Sequence, residues 1–92
     1  MNDEKYRQAH DLDIAREGDT IVVRMAADEW AVFEGTALDL WRLLNVPRSI
    51  RELAEELSTS YRADSETLAR DTSEALADWE RRGLVIRLPA SL

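Results

Sequence analysis

Gly35-Thr36-Ala37-Leu38-Asp39-Leu40-Trp41 is the stretch on which the fold turns, because it follows two short apolar strands and opens the first of three helices. Just upstream, Thr20-Ile21-Val22-Val23-Arg24-Met25 is β-branched and apolar. Trp30-Ala31-Val32-Phe33 follows after the link Ala26-Ala27-Asp28-Glu29, so the two runs are expected to pair as a hairpin. Side chains alternate along a strand with period two, which leaves two registers open. An even-numbered loop sets Val23 and Met25 on the face of Trp30 and Val32; an odd-numbered loop sets them with Ala31 and Phe33. Leu12-Asp13-Ile14-Ala15 alternates weakly and is expected to form a preceding strand, ended by Glu17-Gly18-Asp19. The strands are expected near residues 12–16, 20–25 and 30–34.

Downstream, each helix has an entry signal. Thr36 is the expected cap of the first helix, near residues 36–45, with Asp39 three residues on and Leu40, Trp41, Leu43 and Leu44 as its apolar face. Asn45-Val46-Pro47 ends it. Ser49 and Glu52 make a fuller capping box for a second helix near 50–59, where Ile50, Leu53, Ala54 and Leu57 recur at i, i+3, i+4 and i+7. Asp64 is the expected cap of a third helix near 65–82, in which Leu68, Thr72, Ala75, Leu76 and Trp79 share a face. Arg81 and Arg82 suit the negative end of that helix, and Gly83 supplies a left-handed stop. Leu84-Val85-Ile86-Arg87-Leu88 reads as a closing strand. The expected fold is therefore α+β, a three-stranded antiparallel sheet packed on a three-helix, winged-helix-like bundle.

A chain of 92 residues makes one modest core and leaves no room for a deep catalytic cleft beside it. The expected organisation is a flexible segment at residues 1–11, a domain at 12–88 and a loose tail at 89–92. There is no Cys, which excludes disulfides, thiolate metal sites and cysteine nucleophiles. No run approaches the roughly 20 apolar residues of a membrane span, and Met1-Asn2-Asp3-Glu4-Lys5 is no signal peptide, so the expected location is the cytoplasm.

Chemistry of the catalytic kind is not legible. His10 is the only histidine and lies in a polar segment without converging partners. Asp71, Glu74 and Asp78 run along one side of the third helix, but a divalent-metal site needs oxygen donors from a turn or a second element. They read as a solvated or partner-facing acidic stripe. No phosphate-binding glycine motif or nucleophile elbow occurs. The expectation is a binding protein that is not an enzyme and uses neither cofactor nor metal.

Net charge is −7, from 19 acidic against 12 basic side chains, and the field it sets up repels phosphate backbones. A DNA-reading third helix would present Arg, Lys, Asn or Gln, whereas this one carries Asp64, Glu66, Asp71, Glu74, Asp78 and Glu80. A winged-helix DNA-binding regulator, using Arg48, Arg51 and Arg62, is thus the alternative, beside a purely structural partner of an enzyme. If Trp30 to Phe33 is a sheet edge, its free N–H and C=O groups can accept an extended peptide, with the third helix as the other wall.

The hairpin, Gly35-Thr36 before a helix containing Trp41, the Ser49-Ile50-Arg51-Glu52-Leu53 helix and the close Arg82-Gly83-Leu84-Val85 together resemble the PqqD-like family. These are recognition elements for ribosomally made peptides that are later modified, and the similarity covers residues 12 to 88. Family members read aromatic-x-Leu-Asn where this chain has Ala31-Val32-Phe33-Glu34; Phe33 in the Leu position argues for an inward Phe33 and the odd-loop register.

The resemblance implies that the leader segment of a precursor peptide lies between the third strand and the third helix. Glu29, Trp30, Ala31, Val32 and Phe33 would supply the backbone edge, and Thr67, Leu68, Asp71, Thr72, Ala75 and Asp78 would line or rim the helical wall. The implied partners are that leader peptide and a leader peptidase or other peptide-modifying enzyme, with neither nucleic acid nor membrane. A stand-alone chain of this size looks most like the elements of lasso-peptide or similar pathways.

Overall fold

The computed structural model of the protein describes residues 4–26 and 29–89. Six strands and three helices are present among them: β1 (Lys5–Gln8), β2 (Asp13–Glu17), β3 (Thr20–Ala26), β4 (Glu29–Phe33), α1 (Thr36–Leu43), β5 (Arg48–Ser49), α2 (Ile50–Ser60), α3 (Ser65–Arg81) and β6 (Val85–Leu88). The expected single sheet is one of two. Antiparallel β2-β3-β4 forms the first, and β5-β1-β6, also antiparallel, forms the second.

The second sheet corrects the expectation of a flexible residue 1–11 segment. Lys5–Gln8 pairs along its length with β6, from Lys5 opposite Leu88 to Gln8 opposite Val85. Tyr6 is buried in the core, so the packed unit begins before residue 12. The Gln8 N–H donates to the Leu44 carbonyl at 2.9 Å, and its side-chain amide donates to the Trp41 carbonyl at 2.8 Å, which ties β1 to the end of α1. Ala9 N–H donates to the Leu84 carbonyl at 2.9 Å. Residues 1–3 and 90–92, which include most of the expected loose tail, lie outside the described residues, as do Ala27 and Asp28 of the hairpin link.

In the first sheet, Ile21 stands opposite Phe33 and Val23 opposite Ala31, and all four are buried. The odd register is therefore the one adopted. An irregularity between Arg24 and Ala26 absorbs the extra residue at the hairpin end, as β-bulges do.

Two of the three expected caps differ. Gly35, with φ of 62° and ψ of −136°, holds the N-cap position of α1, and Thr36 is already the first helical residue. That backbone conformation suits glycine and not threonine, which is why the cap moves back by one. Asp39 instead accepts a hydrogen bond from the Tyr61 hydroxyl. Asp64 stands at the N-cap of α3 but makes no side-chain bond to the helix backbone; it accepts from the Thr67 hydroxyl at 3.5 Å.

The capping box of α2 is present in both directions. Glu52 N–H donates to Ser49 Oγ at 3.1 Å, and Ser49 N–H donates to Glu52 Oε1 at 2.8 Å. The latter bond is the main reason the Glu52 carboxyl is held below its usual range. At the far end of α3, Gly83 adopts φ of 76°, its N–H donates to the Glu80 carbonyl at 3.1 Å, and Leu84 N–H donates to the Trp79 carbonyl at 2.9 Å. This is a Schellman close, and it turns the chain directly into β6 with Leu84 fully buried.

Candidate functional site

The sheet order leaves β4 hydrogen-bonded to β3 alone among the described residues, so its other edge is free. What fixes that edge in space is a cluster of three rings. Phe33 stacks on Trp41 of α1 with centroids 4.5 Å apart and planes 11° from parallel. It also meets Trp79 of α3 edge-on, at 4.9 Å and 82°, while Trp41 and Trp79 are 6.0 Å apart at 75°. These separations and angles are the ones aromatic quadrupoles favour. All three rings are buried, so the end of β4 is anchored to two helices at once.

Alternation then sorts the side chains of β4. Ala31 and Phe33 point into the core, whereas Trp30 and Val32, 52% and 57% exposed, point to the other face. Trp30 lies opposite Arg24, whose guanidinium carbon sits 5.7 Å from the ring centroid.

Between the three helices opens a mainly apolar groove of about 200 Å³. Thr36, Ala37 and Leu40 of α1, Leu57 of α2, and Leu68, Asp71, Thr72, Ala75 and Trp79 of α3 line it. Trp79 belongs both to the groove and to the ring cluster, so the groove is linked to β4 through the Phe33 ring, although no β4 residue lines it. Among the described residues, Asp71 is the only acidic side chain lining it.

Of the helical residues expected at the site, Leu68, Asp71, Thr72 and Ala75 line this groove. Two others stand apart from its lining. Thr67 is exposed and bonded to Asp64, and Asp78 is engaged by Arg81 at 3.0 Å and Arg82 at 3.3 Å. Along the expected solvated or partner-facing acidic stripe, Asp78 pairs with Arg81 of α3 and with Arg82 just past its end, Asp71 is 3.8 Å from Arg70, and Glu74 is exposed. Glu29, Trp30, Ala31, Val32 and Phe33 form β4 itself.

Thr36, Ala37, Leu40, Leu57 and Trp79 were absent from the expected site. Leu40, Leu57 and Trp79 carry the same apolar periodicity as any core residue, and only the folded arrangement shows that their buried stripe is left partly open. Thr36 had a detectable signal, since it begins a helix three residues after the strand edge.

No group of three or more His, Asp or Glu side chains that could hold a metal ion occurs among the described residues. His10 is exposed and contacts Arg7. No helix among the described residues is long and apolar enough to cross a membrane.

The arrangement is that of a small α/β domain with a free sheet edge at β4 and an apolar groove among its helices. Residues 20–85 match the family model described as coenzyme PQQ synthesis protein D (PqqD), and the chain belongs to that family. No curated protein and no solved structure is significantly similar to it.

Proposed function

We propose that the chain captures the leader segment of a ribosomally synthesised precursor peptide by strand addition at β4 and presents it to a modifying enzyme or leader peptidase in the cytoplasm. The observation that carries this reading is one contact: Phe33, the last residue of a strand with a free edge, packs on Trp79, which lines the helical groove. Main-chain bonds along Glu29–Phe33 would supply affinity, and alternate side chains of the peptide would enter the groove for selectivity. Membership of the PqqD family, accessory proteins without catalytic activity of their own, supports a binding role rather than an enzymatic one.

Asp71 at the groove gives the site a preference for a peptide with a basic residue near its apolar anchor. The precursor's chemistry, lasso-type or other, is set by the enzyme that receives it. The test is a titration of isotope-labelled protein with the peptide encoded by a short reading frame beside its gene. Amide resonances of Glu29–Phe33 and of the α3 residues Leu68–Ala75 are expected to shift together. Shifts confined to other elements would remove the groove from the account.

A further inference from the structure

The outer face of β4 is as unusual as its edge. A strand at the margin of a sheet ordinarily turns polar or charged side chains to solvent. Here Trp30 and Val32 stand two residues apart on that face, each more than half exposed. On the β3 side each has a matching neighbour, Arg24 over the Trp30 ring and Val22 opposite Val32. On the edge side neither has one among the described residues.

We infer that Trp30 and Val32 read a second set of side chains on the same added strand, so that the recognised peptide is apolar on both faces. The inference rests on the strand-addition reading above. Successive residues of an added strand point to opposite faces, and directly paired residues bring their Cβ atoms to about 4.5–5.5 Å. The residues facing inward fall on the side toward which Ala31 and Phe33 point, the side of the helices that form the groove. Those facing outward fall beside Trp30 and Val32, where β-branched or aromatic side chains complete the row that Val22 and Arg24 begin. Glu29 and Glu34, both exposed, stand at the two ends of the pair on a chain of net charge −7, which disfavours an acidic peptide. The occupant is therefore a neutral or basic segment with a short continuous apolar run, in place of the strict alternation that a one-faced site selects.

The experiment selects a displayed library of random 12-residue peptides on the full chain and on a Trp30→Ser/Val32→Thr variant. Both substitutions are at exposed positions, and folding is checked by helical circular dichroism. The parent pool is expected to be enriched in apolar residues at both parities over several adjacent positions, and the variant pool at one parity only. The parent consensus peptide should bind the variant about two- to thirtyfold more weakly, the range expected for losing two cross-strand pairs. It should also shield Trp30 from acrylamide quenching, which Trp30 reports because Trp41 and Trp79 are buried. One-parity enrichment in both pools, or equal affinity for parent and variant, would overturn the inference while leaving strand addition in place. An absence of any consensus, or a consensus peptide whose binding ignores proline in β4, would overturn strand addition and the inference with it.

Discussion

Phe33 meets Trp79 edge-on at 4.9 Å, and this one contact joins the last residue of the free strand to the wall of the groove. Because Phe33 is also stacked on Trp41, a single side chain ties β4 to both α1 and α3. Phe33→Ala is expected to cost about 3–5 kcal/mol, the usual range for emptying a buried phenylalanine site. Phe33→Leu keeps most of the apolar volume and should cost about 0.5–1.5 kcal/mol through the lost ring pairs. Denaturant midpoints check the order; a Phe33→Leu midpoint equal to the parent's would mean that volume alone, and not ring geometry, holds the strand.

The α2 capping box gives a prediction for stability and one for pH. Ser49→Ala should lower stability by about 1 kcal/mol, read as a shift of the denaturation midpoint without a change of slope. Glu52 is held below its ordinary value in the folded protein, chiefly by the Ser49 N–H. The unfolded chain therefore binds the proton first as pH falls, so the contribution is present above the ordinary carboxylate value and is lost through the lower folded one. Stability of the parent should fall more steeply across that acidic window than stability of Glu52→Gln. Parallel pH profiles would show that the bond contributes nothing.

How much of this was legible can be followed element by element. The hairpin of β3 and β4, the capping box and the Gly83 stop all carry local signals, in alternation, in spacing and in a residue suited to positive φ. β1 carries none: Lys5-Tyr6-Arg7-Gln8 has one apolar residue, and its partners lie some eighty positions away at Val85–Leu88. β5 is two residues long and coincides with a helix cap, so its pairing is invisible before the chain folds. At the site, the edge was legible because it is a strand property. The groove was half legible, since an open stripe and a sealed one share the same periodicity.

Electrostatics at the groove should be modest and concentrated at Asp71. Exposed charge pairs contribute about 0–1 kcal/mol and are screened by salt. Asp71→Asn/Glu74→Gln should weaken binding of a basic leader peptide by up to tenfold at low salt and less at high salt. Asp78→Asn should chiefly affect its pairs with Arg81 and Arg82 and leave peptide affinity nearly unchanged. A larger loss from Asp78→Asn than from the double variant would reverse that assignment.

The central claim is that a peptide docks by extending the sheet at β4. Proline removes a backbone N–H, and successive residues of a strand direct theirs to opposite sides, so Ala31→Pro and Val32→Pro sample both sides of the strand. Each variant is first checked for retained helical signal, and the leader peptide is then titrated into it by calorimetry. The account predicts that at least one folded variant loses leader binding almost completely while its stability changes far less. Parental affinity in both folded variants would contradict strand addition and remove β4 from the site.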